Sequence, residues 1–252
     1  MAIAIARSLV MTPAELGASV SHPTKVNSVK KRSTYRIGRY YLLKDRVFQL
    51  KSDDPCATIG VMSVRQSIDD AINAIGLLVP LEPKIREAAE LLESTLLSDH
   101  RVLTCGNGGS AADGSHFAAE IACRFLSDRQ PFPGFSLTND GGLITAIGND
   151  YSFEEVFARQ LVAFAQRGDI LVALSTSGQS RNIVRALEVA REIGLQSIAL
   201  LGRDGGACKG LASIELIISN HSTARIQEAH KVIIHIFCEL IEPALQQGRR
   251  QK

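Results

Sequence analysis

A histidine and a glutamate four residues apart, His116 and Glu120, are the side chains best placed for chemistry in this sequence. In a helix they lie on one face, one turn apart. An imidazole and a carboxylate in that arrangement can share a metal ion or act as a base and an acid. A surface ion pair is the simpler alternative. The glycine-rich loop that precedes this helix favours the functional interpretation.

Four further polar residues lie near the C-terminus: Gln227, Glu228, His230 and His235. Gln227 and His235 are eight residues apart, which in a helix is about 12 Å along the axis and about 80° around it. These two side chains could therefore border one site. His230 does not share a face with His235, so we expect one of the two histidines to pack in the core or lie at an interface.

Residues 106–110, Gly-Asn-Gly-Gly-Ser, follow a short apolar segment and precede a predicted helix. Glycines let the backbone approach a ligand, and a helix N-terminus offers free N–H groups and partial positive charge. The loop is therefore a candidate anion site. Gly106, Gly108 and Ala111 also fit the G-x-G-x-x-A pattern of dinucleotide-binding folds. The acidic residue that this pattern requires is missing, because Asp140 comes too late, so we predict no NAD site.

A second loop with the same placement carries four hydroxyl groups, at Ser175, Thr176, Ser177 and Ser180. Hydroxyls and the N–H groups of a helix N-terminus together suit a phosphate monoester. An ordinary helix cap with turn residues is the alternative. Neither loop has the lysine of a nucleotide-binding P-loop, which favours a sugar phosphate over ATP.

The elements that position these residues alternate between short apolar strands and helices. Periodic apolar residues from Ile68 predict one helix, which Pro80 and Pro83 break, and a second helix follows at 85–97. After this hairpin we predict strands at 102–105, 135–137, 170–174, 197–201 and 214–218. The predicted helices lie at 110–125, 143–147, 153–166, 181–193 and 224–245, the last interrupted or bent at Pro243. This alternation is typical of a parallel sheet with helices on both faces.

Composition limits the classes of function. The body of the protein is mildly acidic, because ten of the 28 Lys and Arg residues but only four of the 26 Asp and Glu residues fall in residues 1–61. We therefore expect no nucleic-acid partner. Five cysteines without a C-x-x-C pair suit the reducing cytoplasm and exclude a cysteine-rich zinc site. No apolar segment is long enough to predict a membrane span.

Residues 1–61 differ from the rest in being basic and without clear periodicity. We predict a disordered leader or a segment outside the native protein, with Met62 as an alternative start and residues 62–252 as the folded domain. A transit peptide is a further interpretation of an Arg-rich, acid-poor leader.

The ordered motifs resemble the phosphoheptose (sedoheptulose 7-phosphate) isomerases of the sugar isomerase (SIS) domain superfamily. The resemblance runs from about Ser63 to Glu242. It is carried by residues 106–113 (GNGGSAAD), 116–120 (HFAAE), 148–150 (GND), 175–180 (STSGQS) and 225–228 (RIQE), together with His235. It implies a flavodoxin-like three-layer αβα sandwich, preceded by the helical hairpin, in a homotetramer with active sites at subunit interfaces.

The resemblance also implies roles for individual residues. Glu120 and His235 would be the catalytic acid–base pair, and a zinc ion would bind His116, Glu120, Gln227 and His235. The substrate-binding residues would be Asn107, Gly108, Gly109, Ser110, Asn149, Asp150, Ser175, Thr176, Ser177, Ser180 and Gln227. Gln179 stands where the family more often has Asn.

The implied reaction converts sedoheptulose 7-phosphate into D-glycero-D-manno-heptose 7-phosphate through an enediol, a step toward lipopolysaccharide or other surface glycans. Two alternatives stay open at this point. The superfamily includes non-catalytic adaptors that bind the bacterial replication initiator protein, although these need not keep both Glu120 and His235. An isomerase of another phosphosugar would share the same loops.

Overall fold

The structure, a computed structural model, describes residues 63–248 and, in the N-terminal segment, the backbone of three short strands. The chain divides into two units, Met1–Val61 and Met62–Lys252. In the first unit, strands β1 (Tyr35–Ile37), β2 (Tyr40–Leu43) and β3 (Arg46–Gln49) pair antiparallel in that order. The sequence analysis did not predict these strands. Otherwise the predicted leader falls outside the described residues and stays a prediction.

The second unit begins with two helices and continues as alternating strands and helices. The helices are α1 (Val64–Gly76), α2 (Glu82–Leu97), α3 (Gly109–Ala122), α4 (Gly141–Asp150), α5 (Ala158–Phe164), α6 (Arg181–Glu192) and α7 (Thr223–Gln247). The strands are β4 (Val102–Cys105), β5 (Gly134–Ser136), β6 (Ile170–Ser175), β7 (Gln196–Gly202) and β8 (Ile214–Ile218). Short 3₁₀ turns lie at Val79–Leu81, Phe153–Glu155 and Gly206–Cys208.

The five strands of this unit form one parallel sheet in the order β5-β4-β6-β7-β8. This is the flavodoxin-like strand order, and the predicted fold is confirmed. The chain changes direction along the sheet between β4 and β6, because β5 lies on one side of β4 and β6 on the other. Ligands of such sheets bind beyond the carboxyl ends of the two strands at this point.

Alternate residues of the central strands enter two separate cores. Val102, Ile170 and Val172 join a cluster with residues of α2, α3 and α7. Leu103 and Leu171 join a second cluster with residues of α4, α5 and α6. The two-residue period of a strand thus produces the three-layer sandwich. Among the described residues, no helix combines the length and apolar character needed to cross a bilayer.

Two predicted helix boundaries were wrong, and a third prediction was wrong in one of its alternatives. Pro83 does not end the hairpin's first helix but lies in the first turn of α2, where the missing N–H costs no helical hydrogen bond. Of the two alternatives predicted at Pro243, an interruption or a bend, the interruption is wrong, because α7 continues to Gln247 with Ile241 and Leu245 buried on either side of the proline. The predicted helix at 153–166 is a 3₁₀ turn followed by α5, since the adjacent residues Val156 and Phe157 are both buried.

Candidate active site

The two predicted loops lie side by side beyond the carboxyl ends of β4 and β6. These strands are paired neighbours, with Cys105 opposite Ala173. The carboxamides of Asn107 and Asn182 join the loops through two reciprocal N–H···O bonds, each of 2.9 Å. Asn182 is buried in the first turn of α6. The anion loop and the hydroxyl loop therefore form one continuous surface at the switch point of the sheet.

The loop after β4 leaves the first turn of α3 uncapped. Gly106 packs so closely that a Cβ there would lie 2.6 Å from the backbone carbonyl carbon and oxygen of Ser110. Gly108, at a φ of 55°, is the N-cap and provides no side-chain hydrogen bond. Free N–H groups at such a helix start can bind an anion.

The loop after β6 orients its hydroxyls by internal hydrogen bonds. Ser175 Oγ accepts from the N–H of Gly178 (3.1 Å), and Ser177 Oγ accepts from the N–H of Gln179 (3.1 Å). Gly178 has a φ of 63° and lies against the carbonyl of Gly205, so no side chain fits there. Ser180 is the N-cap of α6 but makes no side-chain capping bond. Ser175 Oγ in turn donates to Ser180 Oγ at 3.5 Å, whereas Ser177 keeps its own O–H for a ligand.

Helices α3 and α7 pack along a seam that brings the remaining candidates together. Gln227 lies over Gly109, where a Cβ would be 2.5 Å from Gln227 Nε2. One turn further, Lys231 Nζ pairs with Asp113 Oδ1 at 2.6 Å. His235 follows opposite His116. The contacting residues are thus spaced i, i+4, i+8 along α7 and i, i+4, i+7 along α3, which keeps them on one face of each helix.

His116, a predicted zinc ligand, stands between the predicted acid–base residues Glu120 and His235, and these three residues are called the catalytic group below. His116 Nε2 is 3.1 Å from His235 Nε2 and 3.5 Å from Glu120 Oε1. The ring of Phe125 stacks on His235 at a centroid distance of 6.1 Å. The side chains of His116 and Glu120 are 37% and 22% exposed, so the group is accessible to a small molecule.

Two predicted substrate-binding residues are not joined to this group. Asn149 and Asp150 end α4 and are exposed, and Asn149 Nδ2 donates to Asp150 Oδ1 at 2.8 Å. In the described part of the chain, no hydrogen bond connects either residue to the two loops. Ser110 is buried in the first turn of α3, and its N–H donates to the carbonyl of Asn107 (3.1 Å).

The chain is similar in sequence to known isomerases. The sequence profile of the SIS domain matches residues 74–202. The phosphoheptose isomerase of Syntrophotalea carbinolica is 41% identical over 188 residues, which span 75% of this chain and 95% of that protein. That of Geobacter sulfurreducens is 49% identical over 165 residues, or 66% of this chain and 87% of that protein. The chain belongs to the phosphoheptose isomerase family.

Solved structures of phosphoheptose isomerases agree with this assignment. The structure from Francisella tularensis matches with a TM-score of 0.69 at 37% identity, covering 71% of this chain and 96% of that chain. The structure from Neisseria gonorrhoeae matches with a TM-score of 0.62 at 42% identity, covering 71% and 94%. The protein is therefore an isomerase with an SIS fold, as the sequence predicts, and the adaptor interpretation is disfavoured.

His230 has a packing role in this phosphoheptose isomerase fold. It is fully buried, and its Nε2 lies 3.2 Å from the carbonyl oxygen of Leu201. Burial lowers the pKa of His230 to about 4 from its ordinary value of 6.5. As the pH falls below 6.5, the imidazole of His230 therefore takes up a proton in the unfolded chain but stays neutral in the folded chain. The contribution of the neutral ring to the free energy of unfolding is complete above pH 6.5 and decreases as the pH falls toward 4.

Sequence reasoning missed several residues that shape the site. Asn182 lies just beyond the hydroxyl loop, and only the pairing of β4 with β6 brings it to Asn107. Arg129 and Glu242 form a buried ion pair below the catalytic group. Burial, with the carboxylates of Glu120 and Glu242, raises the pKa of the Cys238 thiol to about 12, so this nearby thiol stays protonated. No spacing in the sequence signals these long-range contacts.

Proposed function

We propose that this isomerase interconverts sedoheptulose 7-phosphate and D-glycero-D-manno-heptose 7-phosphate. The observation that carries the proposal is the convergence of His116, Glu120 and His235 on α3 and α7, whose packing begins at the loop after β4 where Gln227 meets Gly109. The phosphoheptose isomerase name of the relatives supports the seven-carbon substrate.

The hydroxyl loop is the proposed phosphate site. Ser175, Thr176, Ser177 and Ser180 supply O–H donors, and the uncapped start of α6 supplies N–H groups. Both favour a dianionic group. Because the phosphate is remote from the reacting carbons, its binding energy can hold the sugar in the orientation that the proton transfer requires.

Glu120 and His235 are the proposed base and acid. Aldose–ketose isomerisation moves a proton between C1 and C2 through an enediol and needs a base at carbon and an acid near the oxygens. Glu120, on α3, can remove the proton, and His235, on α7, can protonate or deprotonate a substrate oxygen. A zinc ion or Gln227 is the proposed group that holds the developing enediolate charge.

Two distances support zinc binding at the same position. Ligand atoms about 2.0–2.1 Å from a tetrahedral zinc ion are about 3.3 Å from each other. The His116–His235 and His116–Glu120 separations of 3.1 and 3.5 Å bracket that value. In the part of the chain that the structure describes, no three His, Cys, Asp or Glu side chains are gathered into a complete metal site. Gln227 is the fourth ligand that the resemblance implies, but in this structure it lies against Gly109, two turns before His235 on α7. A bound zinc ion would stabilise negative charge on the substrate oxygens.

A homotetramer with shared active sites is the proposed assembly. Helix α1 exposes an apolar stripe, with Val64, Ile68 and Ile72 78%, 51% and 61% exposed. A neighbouring groove of about 400 Å³ is lined by residues of α1, α2 and α7 and includes Val79 and Leu240. Such a surface is typical of a subunit interface. The exposed Asn149 and Asp150 would then act in a site completed by another subunit.

The cytoplasm is the proposed location of the enzyme. Four cysteines in the described part of the chain are free thiols: Cys105, Cys123, Cys208 and Cys238. Unpaired thiols persist in a reducing compartment.

A substrate panel tests the proposed reaction. Purified protein is incubated with ketose phosphates of five, six and seven carbons, and the aldose phosphates formed are measured. We expect conversion of sedoheptulose 7-phosphate with the highest kcat/KM. Preferred conversion of a shorter ketose phosphate would instead identify an isomerase of another phosphosugar.

A further inference from the structure

We propose that the buried ion pair of Arg129 and Glu242 positions the catalytic group by fixing the end of α3 against α7. Arg129 lies in the segment after α3, and Glu242 lies on α7, seven residues beyond His235. Neither side chain reaches the reacting groups, so both would be positioning residues. The inference rests on the proposed roles of Glu120 and His235.

The guanidinium of Arg129 binds both helices at once. Its Nη2 donates to the backbone carbonyl of Glu120 (2.8 Å), and its Nη1 donates to the carbonyl of Ile121 (3.0 Å). Its Nε donates to Glu242 Oε2 at 2.9 Å, and Glu242 Oε1 accepts from the N–H of Ser127 (3.4 Å). A planar group with fixed N–H directions thus connects the peptide of Glu120 to the helix that carries His235.

The stability of the folded protein does not by itself explain why Arg129 and Glu242 form a buried ion pair. The side chains of Arg129 and Glu242 are only 3% and 6% exposed. Removing two such charges from water costs about as much as their attraction returns, and well-packed apolar residues often serve equally well. The carbonyls that Arg129 binds belong to the last turn of α3, where no helical N–H is available to them. The pair therefore holds the turn that carries Glu120 in a defined position.

A displacement at this junction would reach the catalytic group directly. Glu120 is the residue whose own peptide Arg129 binds, so a shift of that peptide moves the carboxylate relative to His116 and His235. The His116–His235 and His116–Glu120 separations depend on how α3 and α7 are aligned along their seam. A misplacement of about 1 Å can lower a rate by about a hundredfold.

Two variants separate positioning from folding. Arg129→Lys keeps the charge but loses the fork that spans two carbonyls and the carboxylate. The double variant Arg129→Met with Glu242→Leu removes both charges together, so no buried charge is left unpaired. The matched control is Arg101→Lys, because Arg101 also pairs with a carboxylate, that of Asp169, at 2.9 Å. This pair lies at the amino ends of β4 and β6, whereas the candidate site lies beyond their carboxyl ends.

The assays are kcat and KM with sedoheptulose 7-phosphate and amide hydrogen exchange of the full-length protein. We expect both Arg129 variants to fold, to lose at least about tenfold in kcat and to change KM by less than about twofold. Exchange should accelerate in peptides covering residues 117–123 and stay unchanged in α6. The Arg101→Lys variant should keep the parental kcat.

The results distinguish this inference from the function on which it rests. A folded double variant with parental kcat and parental exchange at residues 117–123 would overturn the positioning role. If Glu120→Gln is inactive in the same assay, the proposed function stands in that case. If Glu120→Gln itself keeps parental kcat, the proposed function fails, and the inference fails with it.

Discussion

A methyl group at position 109 offers a sharp test of the α3–α7 seam. Gly109 is the first residue of α3, and its φ is not in the left-handed region, so Gly109→Ala introduces no backbone strain. The new Cβ would lie 2.5 Å from Gln227 Nε2, 2.9 Å from Cδ and 3.0 Å from Oε1. Gln227 must therefore move.

The size of that movement follows from the contact distances. Ordinary van der Waals contact requires about 3.5 Å, so the Gln227 amide must withdraw by about 1 Å. If Gln227 binds the substrate as proposed, such a displacement can cost up to about a hundredfold in rate. Stability should hold or rise slightly, because alanine is about 1 kcal/mol better than glycine within a helix. Gln227 is the mobile end of a flexible side chain and can yield.

The assay compares Gly109→Ala with a matched control, Gly141→Ala. Gly141 is likewise the first residue of its helix, α4, but a Cβ there meets no atom within 4 Å. We expect kcat/KM with sedoheptulose 7-phosphate to fall at least about tenfold in Gly109→Ala and to stay parental in Gly141→Ala. Parental activity in Gly109→Ala, with Gln227 displaced in its crystal structure, would refute the role of Gln227.

Three further predictions address other parts of the protein. Ser177→Ala combined with Ser180→Ala should raise KM without lowering the melting temperature, and an unchanged KM would count against the phosphate site. His230→Gln should remove a pH dependence of unfolding worth about 3 kcal/mol between pH 6.5 and 4, because its amide does not titrate. Urea denaturation at pH 5 and pH 7 measures most of this change in the free energy of unfolding. The same change between the two pH values in parent and variant would contradict the prediction. A protein beginning at Met62 should fold, assemble and keep full activity, whereas an insoluble or inactive product would show that residues 1–61 are structural.

The sequence predicted the sheet well because its strands are short, apolar and buried on both faces. Ile214–Ile218 was predicted with the observed bounds, and the order of strands and helices in the second unit is as expected. Errors fell where a local rule has a positional exception. Proline can end or interrupt a helix, but Pro83 lies in a first turn, and Pro243 does not interrupt α7.

The candidate site was predictable in its residues and only partly in its contacts. The i, i+4 spacing placed His116 and Glu120 on one face, and the eight-residue spacing brought Gln227 and His235 to one side of α7. That His235 meets His116 while Gln227 meets Gly109 depends on how two helices 100 residues apart in sequence align. The Arg129–Glu242 and Asn107–Asn182 pairs also arise from tertiary packing, which spacing cannot reveal.

Replacing the proposed base tests the central claim most directly. Glu120→Gln keeps the size of the side chain and removes its carboxylate, and His235→Gln does the same for the imidazole. Each should fold as the parent does and lose at least about a hundredfold in kcat for the conversion of sedoheptulose 7-phosphate. Zinc content is measured in the same samples, because both residues are proposed ligands. We expect the rate loss even in metal-replete protein, and a folded, metal-replete Glu120→Gln variant with near-parental turnover would contradict the role of Glu120 as the base.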